Sequence, residues 1–351
     1  MAATRQMEYR LRSIILFLMG GALLFQSACT TMWPIEKITH PTLSQEERAD
    51  GKVFRSEEYM VYVLQGGETP VILAERFLGD TKKSWVIEEA NEGIPFEKHQ
   101  AIVIPLKEEN KGGLTARGYQ TVPVLSYHHF AEDCTSLFCM PSDVFKQQMK
   151  YLKENGYTVI TEKELLDYLQ YRRSLPKRSV MITIDDGYSS AYDVAYPILK
   201  NHGYTATLFI YTDYIGISDK AITWNQLKEM KDDGFQIGSH TISHCDLTKK
   251  REGEDETVYM ARIKKELLGS KQIIDTKLKQ NTISLAFPFG RYDESVLAVA
   301  DQVGYRLGFS VKKGGNPFFA DPLSLKRDHV LKKDMKSFIT KLKTFYEFSL
   351  E

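Results

Sequence analysis

Two short runs in this 351-residue chain place groups capable of hydrolytic chemistry where apolar segments stop. "SVMITIDDGYSS" (179–190) has the pattern of a buried strand and ends on two adjacent carboxylates, Asp185 and Asp186. Asp-Gly is a strong turn signal on its own, so this run alone fits a plain turn as well as a site. "FQIGSHTISHCDL" (235–247) then sets His240 and His244 four residues apart after a second strand-like run. On one helical turn that spacing puts both imidazoles on the same face. In a chain with eight histidines, such a pair is better explained as metal ligands than as two independent core or surface residues. Two imidazoles and one carboxylate, with positions left open for water and substrate, make a catalytic zinc-type site. One aspartate can then be a ligand while its neighbour stays free to act as a base.

Such a site needs elements that bring distant runs to one edge. From Gln120 onward, strand-like runs ("TVPVLSY", "SVMITI", "TATLFIY", "FQIG", "TISLAF", "YRLGFS") alternate with amphipathic helices. "DVFKQQMKYLKENG" carries Phe145, Met149 and Leu152 on one face and stops at Gly156, and "TEKELLDYL" opens with a Thr161–Glu164 capping box. This alternation predicts an α/β fold with a mostly parallel sheet, open or closed into a barrel, whose active site gathers at the C-terminal strand ends. Asp185, Asp186, His240 and His244 all fall at such ends. Tyr188, two residues past the carboxylates, is a candidate to stack on substrate, whereas Trp224 begins an amphipathic helix and is expected in the core.

The rest of the chain divides by composition. Lys and Arg number 46 against 46 Asp and Glu, which removes any electrostatic case for nucleic acid. Residues 1–29 have the form of an export signal: Arg5, Arg10 and Arg12 precede "IILFLMGGALLF", too short for a comfortable membrane span. "SAC" then resembles a bacterial lipoprotein cleavage site, with Cys29 as the acylated first residue, although Gln26 stands where Leu is usual and an uncleaved anchor is the alternative. The expected location is therefore exported and lipid-anchored in the bacterial cell envelope. Export permits disulfides, so Cys134 and Cys139 are expected to bridge, leaving Cys245 unpaired and buried. Residues 30–58 are expected to be a tether and 107–119 a linker. Between them, residues 59–106 read as strand, helix, helix, strand. "YVLQGGETPVILAERF", Asn91 and the closing "IVIP" resemble a lysin motif, which implies binding to N-acetylglucosamine-containing glycans.

"TIDDGY" and "HTISH" resemble the first two motifs of the polysaccharide deacetylases, the NodB-homology group of carbohydrate esterases, over roughly residues 120–345. The resemblance implies a distorted (β/α) barrel and metal-dependent N-deacetylation of an N-acetylglucosamine polysaccharide, exopolysaccharide, peptidoglycan or chitin fragment. It implies Asp185 as general base, with Asp186, His240 and His244 as ligands of a divalent metal, zinc first and cobalt, nickel or iron as alternatives. "AFPFGRYD" matches a third motif loosely, with Pro288 and the Phe289 N–H at the oxyanion position. The arginine usual two residues before that proline is Ala286 here, and "LSLKRDHV" is not the usual Leu-x-x-His form. Both departures fit the branch of exported poly-N-acetylglucosamine deacetylases in which the order of motifs is permuted. There "VPVLSYHHF" would supply His128, as imidazolium, for the general acid, with His129 structural and Arg327 replacing the missing arginine. The alternative is a non-catalytic glycan-binding lipoprotein with a degenerate barrel, suggested by Ala286 and the imperfect third motif.

Overall fold

The computed structural model describes residues 52–55, 59–91, 93–107, 111–115 and 118–347. The export signal, Cys29 and most of the expected tether lie outside the described residues. The chain divides into two compact units, Met1–Leu106 and Lys107–Glu351.

In the first unit, strands β1 (Lys52–Arg55), β2 (Tyr59–Val63) and β3 (Ala101–Pro105) form an antiparallel sheet in that order, covered by helices α1 (Pro70–Leu78) and α2 (Ser84–Ala90). β1 falls inside the stretch read as tether; its four residues are too few to show a strand pattern, and β2 supplies the partners. Alternation in β2 sends Met60 and Tyr62 inward against Leu73, Ala74, Ile87, Ile102 and Ile104. Helix α1 starts where Thr69 Oγ1 accepts the Ile72 N–H at 3.3 Å, with Pro70 in the first turn, and ends on Gly79 at φ 68°. Asn91 ties helix to sheet: its amide donates to the carbonyls of Ile87 and Val103, both at 2.7 Å, and accepts the Val103 N–H at 2.8 Å.

In the second unit the elements run β4 (Leu114–Thr115), β5 (Gly118–Gln120), β6 (Val124–Tyr127), β7 (His129–Ala131), β8 (Cys139–Pro141), α3 (Ser142–Glu154), β9 (Thr158–Val159), α4 (Glu162–Leu169) and β10 (Ser179–Asp186). They continue with α5 (Tyr196–His202), β11 (Thr207–Ile210), α6 (Trp224–Asp232), β12 (Gln236–Ser239), α7 (Glu256–Leu278), β13 (Ser284–Ala286) and α8 (Glu294–Gln302). The last are β14 (Leu307–Phe309), β15 (Asp328–His329), α9 (Met335–Ile339) and β16 (Phe345–Glu347). The main sheet has the order β14-β13-β12-β11-β10-β6-β15, every neighbour parallel, with β9 also on β10. The run through Leu325 bridges Phe309 of β14, and three residues later β15 pairs with β6, so this run draws the two ends of the sheet together into a distorted barrel.

Strand parity decides what each residue faces. In β10, Val180, Ile182 and Ile184 pack under the helices with Leu199, Leu208 and Ile237, whereas Met181 joins the inner cluster of Phe209, Phe309 and Leu325. Asp185 shares the inward parity of Met181 and Thr183. Trp224 packs against the helix-side core, as expected for the start of an amphipathic helix.

Candidate active site

Adjacent residues at a strand end face different ways, and this is how the paired carboxylates divide. Asp185, 2% exposed, looks into the barrel mouth. Asp186 turns over the strand edge in the left-handed region, φ 78°, followed by Gly187 at φ 82°. Asp186 Oδ1 lies 3.6 Å from His240 Nε2 and 3.6 Å from His244 Nε2. One ligand atom from each of the three side chains lies within 4.8 Å of the others; among the described residues no other cluster of His, Cys, Asp and Glu does this.

The two histidines do not share a helical turn. His240 leaves the end of β12, and the chain doubles back through Thr241 at φ 72° to His244 at φ 57°, bringing the imidazole centroids to 4.6 Å. The pair that the spacing singled out is brought together, but by a turn at a strand end and not by one turn of helix. Glu266 of α7 holds this turn: its carboxylate accepts from Ile242 N and Ser243 N, each at 3.0 Å, and from Ser243 Oγ at 2.8 Å. His244 N donates to Thr241 Oγ1 at 3.0 Å. Among the described residues, four of the seven non-glycine residues with positive φ (Asp186, Thr241, His244, Phe289) sit around this cluster, the concentration of backbone strain expected at a functional site.

Protonation states suit a cation. His240 Nδ1 donates to the Ala286 carbonyl at 2.7 Å, which leaves the Nε2 lone pair facing Asp186. Burial pushes His240 down to about 3 and also lowers His244, so both imidazoles are neutral at neutral pH. Burial, then the charge of Asp185, push Asp186 up to about 7. A carboxyl crowded by a second anion beside two neutral imidazole lone pairs is a donor set that a borderline divalent cation relieves.

Asp185 is held from the other side. Arg327 donates from Nη1 to Oδ1 at 2.7 Å and from Nη2 to Oδ2 at 2.8 Å. Its own fork is fixed by Ser310 O on Nε at 3.0 Å, by Thr183 Oγ1 on Nη1 at 3.1 Å, and by the rings of Phe209 and Phe309 beneath the guanidinium. Burial favours the neutral acid, but Arg327, with the nearby imidazoles, outweighs it and holds Asp185 well below the usual carboxylate range. Ala286, at the position where an arginine was missing, is buried in β13, and the guanidinium arrives from the run preceding β15.

β6 lies beside β10, Thr183 level with Ser126 and Ile184 with Tyr127, so one step further Asp185 meets His128. His128 Nε2 is 4.0 Å from Asp185 Oδ2. Burial lowers His128 to about 4 despite the pull of Asp185, so this imidazole is neutral in the resting site, not the imidazolium expected from sequence. His329 joins it: β15 places the two rings 5.2 Å apart, with His329 Nδ1 3.3 Å from Ser126 Oγ. A two-residue strand carries too little pattern for that proximity to be read in sequence. His129 faces away, its Nδ1 2.9 Å from Ser190 Oγ and its ring 5.2 Å from Tyr188.

Aromatic groups rim the cluster. Tyr188 meets Tyr214 at 5.7 Å, Tyr214 stacks on Tyr211 at 5.1 Å, and Tyr211 lies 5.3 Å from His244. Pro288 is buried at the start of a tight turn, and Phe289, at φ 60° and 56% exposed, sets its ring 4.8 Å from His244. The structure thus brings Asp185, Asp186, His128, His240, His244 and Arg327 to one strand edge, with Phe289 and Tyr188 on the ligand side. Glu266 and Tyr211 were not found by sequence reasoning, and His329, in "LSLKRDHV", was expected to matter less than His128.

The profile of the polysaccharide deacetylase family matches residues 172–308. A protein of Bacillus subtilis (strain 168), YxkH, named as a candidate polysaccharide deacetylase, is 31% identical over 235 residues, 65% of this chain and 80% of that protein. The poly-β-1,6-N-acetyl-D-glucosamine N-deacetylase of Staphylococcus aureus (strain MRSA252) is 32% identical over 174 residues; the match spans 48% of this chain and 60% of that protein. Among solved structures, the Streptococcus pyogenes deacetylase PplD in complex with acetate superposes with a TM-score of 0.58 at 29% identity, covering 64% of this chain and 98% of that one.

Proposed function

Because the chain belongs to the polysaccharide deacetylase family, we propose that it is a metal-dependent hydrolase that removes N-acetyl groups from an N-acetylglucosamine polymer of the cell envelope. The observation that carries this reading is the division of Asp185 and Asp186 between two partners: a guanidinium clamp on the first, a two-imidazole cluster on the second.

Asp186, His240 and His244 would hold the ion, zinc by donor type. Bound there, a divalent cation supplies Lewis acidity, making water at its open positions more acidic and polarising an acetamide carbonyl. Asp185 is ionised at working pH and presented at a fixed angle by both guanidinium nitrogens, so it takes the proton of the attacking water as the new C–O bond forms. The Phe289 N–H, in the tight turn that follows Pro288, would donate to the oxygen on which charge develops. The amine must leave as a neutral molecule. His128, neutral at rest and 4.0 Å from Asp185, can receive the proton that Asp185 accepted and give it to the sugar nitrogen as the C–N bond breaks, yielding acetate and the free amine. Tyr188 lies where a sugar ring would stack.

The S. aureus relative named for poly-β-1,6-N-acetylglucosamine favours that polymer over peptidoglycan or chitin as substrate. The position of β6, which precedes β10 in the chain and lies beside it in the sheet, supports the permuted motif order. The degenerate-barrel reading rested on Ala286 and the imperfect third motif; the Arg327 clamp on Asp185 weighs against the first of these grounds. The β-α-α-β core of the first unit supports glycan binding there, and the Cys134–Cys139 disulfide suits an exported protein anchored through Cys29. The test is acetate release, with matching appearance of free amine, from oligomers of β-1,6-linked N-acetylglucosamine, chitin oligomers and peptidoglycan. The β-1,6 oligomer should be turned over fastest; no acetate from any of the three by zinc-loaded protein would overturn the reading.

A further inference from the structure

The loop between β7 and β8 is built with more care than a connection needs. β7 and β8 run parallel, His129 level with Cys139, and the loop joining them is closed by the Cys134–Cys139 disulfide. Its tip is apolar and outward: Leu137 is 61% exposed and Phe138 46%. Phe138 is nevertheless fixed. Its carbonyl accepts the His129 N–H at 3.2 Å, its N–H donates to Ser136 Oγ at 3.3 Å, and Lys333 Nζ, from the far end of the chain, holds the Cys134 carbonyl at 2.9 Å. The ring lands edge-on to His128 at 4.8 Å and to His329 at 5.8 Å. It therefore lines the side of the site that carries His128, while Phe289 and Tyr211 line the side that carries His244.

An exposed aromatic ring costs water contact unless something covers it, and the face of a pyranose, with its axial C–H groups, is a suitable cover. We propose that the disulfide-closed loop 134–139 is a substrate-positioning element, in which Phe138 seats the N-acetylglucosamine ring whose nitrogen departs and so holds that nitrogen against His128. The occupant follows from continuity: the ring touches His128, and His128 faces Asp185, so whatever covers Phe138 is the portion of substrate next to the bond being cut. A tie across so short a loop adds little to overall stability, but it restricts the freedom of the exposed Phe138 ring beside His128. Phe138 is a positioning residue here, acting on the sugar and not on the reacting carbonyl.

The inference rests on the deacetylase reading, and its test is arranged so that the two can fail separately. Wild type, Phe138→Ala, Phe138→Tyr and the double variant Cys134→Ser, Cys139→Ser are compared on penta-N-acetyl oligomers of β-1,6-linked glucosamine and on 4-nitrophenyl acetate, an ester with no sugar. Phe138→Ala should raise KM for the oligomer about tenfold with kcat within about threefold, Phe138→Tyr should restore it, the serine pair should show a smaller rise, and ester hydrolysis should be unchanged throughout. Unchanged KM in Phe138→Ala, or equal losses on oligomer and ester, would overturn the inference. If wild type releases no acetate from the oligomer, the deacetylase reading fails; calorimetric binding of the same oligomer still decides the loop's role, which stands if Phe138→Ala weakens binding about tenfold and falls if affinity is unchanged.

Discussion

The carboxylate of Asp185 and the guanidinium of Arg327 form a dry pair, with side chains 2% and 1% exposed and two parallel hydrogen bonds. In such surroundings a pair is held by geometry more than by net attraction, because removing both charges from water costs nearly what their contact returns. Breaking it is another matter. Arg327→Ala should cost about 3–5 kcal/mol of stability by leaving a buried carboxylate alone, and should lower kcat at least about a hundredfold because the base loses its orientation. Arg327→Lys keeps the charge and loses the fork, so it should recover much of the stability while kcat stays about tenfold or more below wild type. Denaturant unfolding and acetate release on the same preparations check this, and wild-type turnover in Arg327→Ala would remove the orienting role. Sequence pointed to Arg327 by its position in "LKRDHV", but a charged residue near a chain end is usually solvated, and only the convergence of Phe209, Phe309, Ser310 and Thr183 explains how it comes to be buried. The same runs that made the two aspartates and two histidines legible gave no sign of Glu266, which stands in a charged helix as one more surface acid would.

Elements matter here through their ends. β10, β11, β12 and β13 deliver side chains to one edge because every strand of the main sheet is parallel, and the helices that force this also hold the loops that follow. The turn from Ser239 to His244 depends on α7, which contributes Glu266 as a cap for two backbone N–H groups that no strand or helix satisfies. Glu266→Gln keeps the shape and removes the charge from these bonds. It should weaken metal affinity about 10- to 100-fold, with little change in secondary structure, as measured by competition with a chelating dye. Unchanged affinity would mean that the turn holds its form without α7. The alternation of strands and helices was readable because long apolar periods survive in β10 and in the main helices. β15 and the strand at Lys52–Arg55 were not, because elements this short are specified by their neighbours and not by their own pattern.

At the scale of the molecule, balanced charge and an aromatic-rimmed cleft fit a neutral, extended glycan better than a charged ligand. If the first unit binds glycan as proposed, it would raise the local concentration of such a polymer without new contacts at the site. Hydrolysis by this chain nevertheless depends on Asp186, His240 and His244 holding a divalent ion, as proposed above. The most direct measurement is metal content together with acetate release from the β-1,6 oligomer, on the full chain and on His240→Ala, before and after chelation and after zinc is restored. Wild type should carry about one equivalent, lose activity on chelation and regain it with zinc, whereas His240→Ala should retain little metal and release no acetate in any state, since two remaining donors cannot hold an open site. Full acetate release by chelated wild type, or by metal-free His240→Ala, would contradict the account.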